Sequence, residues 1–219
     1  MTSHYRNLLF GPSVKRAQEA IGSRKAYSRD GAVSNEADRL TEREAAFIAA
    51  RDSFYMATIG FNGWPYVQHR GGPRGFVKIV TDRRLAFADF RGNRQLVSIG
   101  NLTEDNRVAI FFMDYVQRAR LKMLGRVSTI DLATEPSLAE QLVDSDYGAV
   151  VERALLIDVE AYDWNCSQHI IPRFTVEEIA PGIERLQSRI VELEQQLAKL
   201  RRGQPGNQDS LHEASTGET

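Results

Sequence analysis

Ser53-Phe-Tyr-Met-Ala-Thr-Ile-Gly-Phe-Asn-Gly-Trp-Pro-Tyr-Val-Gln-His-Arg70 holds two runs rich in aromatic and β-branched residues, one on each side of Asn62-Gly63. Asn-Gly tolerates the left-handed backbone that a hairpin turn demands, so the stretch reads as two antiparallel strands, 53–60 and 64–70. Working outward, the same period recurs. Strands are expected at 76–81, 84–90, 107–115, 118–130 and 153–162, with Asp82-Arg83 linking the third and fourth tightly. Two short helices, near 92–100 and 135–143, interrupt the series. Strands this numerous, joined mostly by short turns, fit an antiparallel barrel better than a parallel α/β sheet. The expected class is mainly β (α+β), with flanking helices.

Upstream, residues 1–40 are polar and mixed, with one helix expected from Ser13 to Ile21 between Gly11-Pro12 and Gly22. Thr41-Glu-Arg-Glu44 has the capping-box pattern and opens a second helix that ends near Arg51-Asp52. Downstream, Pro181-Gly182 precedes Ile183, Leu186, Ile190, Leu193, Leu197 and Leu200, whose alternating three- and four-residue spacing is the seam of a coiled coil. Ile183, Ile190 and Leu197 at a, with leucine at each d, lean towards a parallel two-stranded form, and Arg189 at g faces Glu194 at the following e. Three heptads are short, and the same stripe would also serve to pack on the chain's own barrel. Gly203 to Thr219 is polar and expected to be disordered. The reading thus divides the chain into an N-terminal extension (1–40), a barrel domain (41–180), an amphipathic helix (181–202) and a tail (203–219).

Hydrophobic residues make up 42% of the chain and charged residues 26%, enough apolar material for a core. The formal net charge is −1, so no bulk field points to nucleic acid or to an anionic membrane, and a cationic site must be local. Cys166 is the only cysteine, which excludes an intramolecular disulfide. The N-terminal residues show no secretory pattern, and the longest strongly apolar run, Val108 to Met113, is too short to span a bilayer. A cytoplasmic location is expected.

Cations cluster in two places. Arg118, Arg120 and Lys122 alternate with Ala119, Leu121 and Met123, so a strand there would put the three charges on one face. Such a row repels itself unless water screens it or an anion sits in it. Arg91-Gly-Asn93-Arg94 lies where the strand Leu85 to Phe90 gives way to a helix, and free N–H groups at a helix start beside arginines suit a phosphate. Gln68-His69-Arg70-Gly71-Gly-Pro-Arg-Gly75 matches neither a Walker loop nor a dinucleotide fingerprint. Its glycines either turn the chain or let backbone and Arg70 approach a ligand. Between Asp163 and Phe174, amide and imidazole groups surround Trp164. Cys166 and His169 give too few ligands for a metal, and no orienting carboxylate makes them a nucleophilic pair.

Taken in order, Arg51 to Thr58, Gly63 to Arg70, Leu85 to Arg94, Asn106 to Met113 and Gly125 resemble the pyridoxamine 5'-phosphate oxidase-like superfamily of FMN-binding split barrels, over roughly Ala45 to Phe174. The resemblance implies a homodimer with FMN at the interface, and oxidoreduction of a small molecule through the flavin. It places the FMN phosphate on Arg91, Asn93 and Arg94, and flavin contacts on Gln68, His69, Arg70, Gly71, Ala88 and Asp89. Arg120, with Lys122 beside it, would face the flavin from the second subunit, where a cation favours the reduced, anionic ring. Vitamin B6 oxidases carry a tryptophan followed by an Arg-x-His-x-Arg-Phe run. Here Trp164 and Arg173-Phe174 persist with one residue fewer between them, which keeps Trp164 and Arg173 among the expected cofactor contacts, and His169 and Ile171 stand in place of the intervening Arg and His. That departure touches vitamin B6 recognition more than flavin binding. His169 is the candidate proton donor or acceptor. The alternatives are a non-catalytic flavin carrier, and a haem- or deazaflavin-binding relative.

Overall fold

A computed structural model describes residues 3–28, 36–164 and 167–203. Cys166 and the tail after Gly203 lie outside the described residues. In chain order the elements are α1 (Ser3–Leu9), α2 (Pro12–Ala20), α3 (Arg24–Ser28), α4 (Glu42–Ala49), β1 (Ser53–Ile59), β2 (Pro65–Gly71), β3 (Lys78–Thr81), β4 (Arg84–Phe90), α5 (Val97–Glu104), β5 (Arg107–Asp114), β6 (Ala119–Ile130), α6 (Pro136–Leu142), β7 (Val151–Trp164) and α7 (Val176–Gly203). They form two compact units, Met1–Pro172 and Arg173–Thr219.

All seven strands pair antiparallel in one sheet of order β2-β1-β5-β6-β7-β4-β3. The hairpin read from Asn62-Gly63 is present, with Ser53 opposite Gly71 and Ile59 opposite Pro65. Its loop runs from Gly60 to Trp64, and Gly63 takes the left-handed conformation at φ 82°. The side chains of β1 alternate: Phe54, Met56 and Thr58 are buried, whereas Tyr55 is exposed. Phe54 meets Phe112 of β5 at 5.1 Å between ring centroids, as the sheet order requires. It also meets Phe87 of β4 at 5.1 Å, although β5, β6 and β7 lie between β1 and β4 in the sheet. Only a sheet rolled on itself brings those rings together, and twist accumulated over seven strands supplies the roll. The strand pairings leave β2 and β3 as edges, so the barrel is split between them.

The core inside the roll contains Ile48, Phe54, Met56, Phe76, Leu85, Phe87, Ile110, Phe112, Leu121, Met123, Leu155 and Ile157. A smaller cluster on the other side of β4 packs Ala86 and Ala88 with Ala154 and Leu156 under Leu138 and Leu142 of α6. β4 is therefore covered on both faces. Thr41 and Glu44 form the expected capping box on α4, and Glu44 also accepts a hydrogen bond from Trp164 Nε1. Among the described residues no helix is long and apolar enough to cross a membrane.

Five elements depart from the sequence reading. The N-terminal extension was expected to hold one helix, and α1 and α3 flank it among the described residues. α5 starts at Val97, five residues later than expected, because Arg94 and Leu96 both adopt left-handed backbone, at φ 58° and 56°. Arg118 is left-handed too, at φ 51°, and sits in the turn before β6, so the alternating cation row shortens to Arg120 and Lys122. α7 begins at Val176 and runs through Pro181, which was expected to precede it. Thr175 and Glu178 cap its start reciprocally: Thr175 N donates to Glu178 Oε2 at 2.8 Å, and Glu178 N to Thr175 Oγ1 at 3.2 Å. Proline costs that helix an intrahelical bond without ending it.

Candidate functional site

Across the roll from β2, the end of β4, the start of β7 and the loop into α5 enclose with it a cleft of about 60 Å³. It is lined by Gln68, Arg70, Asp89, Asn93, Arg94 and Ser98, with Glu152 at its side. The volume admits a few waters or one phosphoryl-sized group. Period-2 geometry turns Gln68 and Arg70 of β2 inward. Gln68 Oε1 accepts from Ser98 Oγ at 2.7 Å, tying β2 to α5. Arg70 Nη1 donates to Asp89 Oδ1 at 2.6 Å, with side chains only 12% and 6% exposed.

Glu152 is aimed by a β-bulge. Asp89 pairs with Arg153 and Phe90 with Val151, so Glu152 is the extra residue that opposes neither. Its Oε1 accepts from Arg91 Nε at 3.0 Å and from Arg94 Nε at 3.1 Å. The Arg91 hydrogen bond, joined by Arg94, holds the Glu152 carboxyl below the usual carboxylate range despite its partial desolvation. Arg153 lies 3.3 Å from Glu152 and 3.5 Å from Asp89. Four guanidinium groups thus surround two carboxylates, leaving two positive charges in excess. The Nε atom of Arg70 is buried with no hydrogen-bond partner, and that of Arg153, also buried, faces the Asp89 carboxylate at 3.5 Å. Beside them α5 starts with no side-chain cap, and the left-handed residues Arg94 and Leu96 shape the loop before it. Left-handed non-glycine residues cost roughly 1–3 kcal/mol each and persist where surrounding structure enforces them, commonly at ligand sites. Excess charge, an orphaned donor and a helix start without a side-chain cap together describe an anion site.

The remaining residues singled out from the sequence fall elsewhere. His69 points to the opposite face of β2 from Gln68 and Arg70, and packs edge-on against Tyr55 at 5.6 Å. Ala88 faces α6 in the smaller apolar cluster, because β4 is buried on both sides. Gly71 and its neighbours serve chain packing: Gly75 is left-handed at φ 77°, where a Cβ would stand 3.0 Å from the Ala49 carbonyl oxygen, and a Cβ on Gly72 would meet Phe76 at 2.7 Å. Arg120 and Lys122 lie near the start of β6 beside Trp164, most of the 14-residue length of β7 away from Glu152. Lys122 is neutralised by Asp163 at 2.8 Å, whereas Arg120 Nε is buried without a hydrogen-bond partner. Trp164 is committed to structure, under the Arg43 guanidinium and against Phe47. His169 is exposed in a turn, left-handed at φ 62°. Arg173 belongs to the second unit. One chain therefore gathers Gln68, Arg70, Asp89, Arg91, Asn93 and Arg94, and does not bring Arg120, Lys122, Trp164 or His169 to them.

Glu152, Arg153 and Ser98 were not anticipated. The sequence carries no local signal for Glu152, because a bulge is a property of pairing. Gln68 and Ser98 are linked by tertiary contact alone. A roomier apolar hollow of about 410 Å³ lies under α1, between Leu8 and the outer faces of β1, β5 and β6. Its two arginines are each matched by a carboxylate, Arg107 by Asp105 and Arg126 by Glu160, so it offers no excess charge. Among the described residues no group of three or more His, Cys, Asp and Glu side chains converges to hold a metal.

No curated protein matches the chain in sequence, whereas solved structures and one family profile do. HupZ from Group A Streptococcus is similar in structure at 13% identity, covering 62% of this chain and 99% of its own, with a TM-score of 0.44. A putative pyridoxamine 5'-phosphate oxidase from Lactobacillus delbrueckii is similar at 15% identity over 57% of this chain and 93% of its own, TM-score 0.43. An FMN-binding protein from Syntrophomonas wolfei is similar at 12% identity over 70% and 95%, TM-score 0.42. Likenesses this distant carry no argument about chemistry. The sequence profile of pyridoxamine 5'-phosphate oxidase matches residues 40–182, well over half of the chain and the whole of the rolled sheet. The chain belongs to the pyridoxamine 5'-phosphate oxidase family of flavin-binding proteins.

Proposed function

We propose that the chain is an FMN-dependent oxidoreductase acting on a small molecule, with the cleft between β2, β4 and α5 holding the FMN phosphate. The observation that carries this reading is the excess of two positive charges in the cluster of Arg70, Arg91, Arg94 and Arg153 over Asp89 and Glu152. A phosphate monoester carries between about −1.5 and −2 charges near neutral pH, so it balances that excess. Arg91 and Arg94 would donate to its oxygens together with backbone N–H groups at the start of α5, and the Arg70 Nε, which has no hydrogen-bond partner, suits the same anion. Bound FMN supplies hydride transfer at flavin N5.

The cleft has room for the phosphate and not for a tricyclic ring. The ring would lie on the open side of the cleft, where Gln68 supplies a carboxamide, and a second copy of the chain would complete its pocket. Arg120, remote from the cleft within one chain, would reach the ring only from that copy. The proposal leaves His69, Ala88 and Trp164 with packing roles, and it assigns no proton-transfer role to His169. It does not extend to vitamin B6 substrates, because His169 and Ile171 stand where the family's B6 oxidases carry Arg and His.

Fluorescence titration of the Arg94→Glu variant with FMN and riboflavin tests the placement. A charge-assisted hydrogen bond is worth about 1.5–3 kcal/mol, so FMN affinity should fall roughly tenfold to a hundredfold. Riboflavin, which has no phosphate, should be nearly unaffected. Equal losses for both ligands would remove the phosphate from this cleft.

A further inference from the structure

We propose that α7 is one half of a parallel, two-stranded coiled coil, and that a second copy of this chain is its partner. Because the helix starts at Val176, it carries four consecutive heptads, with Val176, Ile183, Ile190 and Leu197 at a and Ile179, Leu186, Leu193 and Leu200 at d. All eight are solvent-exposed in the single chain, between 42% and 74%. The other positions are mostly charged or polar, Val191 at b being the main exception. A continuous apolar stripe of this length along a helix of 28 residues, about 42 Å, is far more apolar surface than isolated surface residues present.

The pattern selects the partner. β-branched residues occupy a in the first three heptads and leucine occupies d in the last three, the choice that favours two parallel strands. In a parallel pair, g faces e of the following heptad on the other helix, which sets Arg189 opposite Glu194. In an antiparallel pair g faces g, and the g residues here are Gly182, Arg189, Gln196 and Gly203, which offer Arg189 no carboxylate. Within one helix Arg189 reaches Glu192 at 2.8 Å, an exposed contact that dimerisation can exchange at little cost. Pro181 falls at f, on the face away from the seam, where the missing N–H and the ring do not obstruct the partner. The short stripe expected from the sequence thus becomes a full-length self-association surface in the second unit.

The test uses the full chain with Cys166→Ser, so that each variant carries one thiol. In a parallel, in-register pair, Leu193→Cys at d meets its own copy across the seam, whereas Ser188→Cys at f is held on the outer face. Under the same mild oxidant, Leu193→Cys should form covalent dimer at least ten times faster than Ser188→Cys. Leu186→Cys, at d one heptad earlier, should do the same, which guards against local damage from losing Leu193. Equal rates at d and f would overturn the proposal, as would no covalent dimer at either d position. An antiparallel pair or a stripe buried on the chain's own barrel gives the latter result. Flavin uptake is not part of the readout, so the outcome stands whether or not the proposed function does.

Discussion

Replacing Arg70 with methionine separates the two consequences of the cleft's charge arrangement, its cost to folding and its attraction for an anion. Arg70 and Asp89 are 2.6 Å apart, and both side chains are nearly out of water. Removing one partner of a buried pair typically costs about 3–5 kcal/mol, because the other charge is stranded. Here Asp89 keeps Arg153 at 3.5 Å, and Arg70 is 12% exposed, so a loss of about 2–3 kcal/mol is expected. Asp89→Leu should cost a similar amount, since it strands Arg70, whose Nε already lacks a hydrogen-bond partner. The double variant replaces the pair with apolar groups beside Phe87, and its loss should be well below the sum of the two single losses. Denaturant unfolding of the four flavin-free proteins gives the coupling energy. Inorganic phosphate affinity, measured on the same proteins, should move in opposite directions. Arg70→Met lowers the excess charge from two to one and should weaken phosphate binding, whereas Asp89→Leu raises it to three and should tighten binding. Additive stability losses would show that the pair is not desolvated. Phosphate affinities that move in the same direction would refute the charge argument.

Two further outcomes probe the framework. At Gly125, where the β6–β7 ladder shifts register, a Cβ would stand 2.7 Å from the Asp158 carbonyl oxygen and 2.8 Å from Ile157 Cγ2. A backbone oxygen yields little, so Gly125→Ala should cost about 1–3 kcal/mol in denaturant unfolding; an unchanged midpoint would mean that the strands separate freely there. Burial, with the Glu44 carboxylate nearby, pushes the Tyr162 hydroxyl up to about 12 from an ordinary value of 10. A raised folded-state value adds stability that is complete below pH 10 and is lost as pH climbs towards 12. Unfolding free energy should therefore fall over that interval less steeply in Tyr162→Phe than in the unaltered chain, and parallel slopes would contradict the assignment.

The strands were legible because alternation survives in their sequence: Phe54, Met56 and Thr58 mark one face of β1 whatever its neighbours do. The capping box at Thr41 was legible for the same reason, being local chemistry. The start of α7 was equally local but was masked, since Pro181-Gly182 reads as a stop while Thr175 and Glu178 three residues apart hold the true signal. The site was harder. Arg91, Asn93 and Arg94 announce themselves as a cationic loop, but the left-handed turns at Arg94 and Leu96 that shape it are enforced by tertiary structure. Which residues of β2 face the cleft depends on how the sheet rolls, and that separates His69 from Gln68 and Arg70. Glu152 depends on a bulge between β4 and β7, and no reading of either strand alone contains it.

Whether this barrel recognises a flavin by its phosphate is decided by titrating the flavin-free protein with FMN and with riboflavin. FMN fluorescence should be quenched at micromolar protein, riboflavin should bind at least about tenfold more weakly, and inorganic phosphate should displace FMN. A protein that quenches neither flavin at micromolar concentration, or that binds both equally and ignores phosphate, would contradict such recognition.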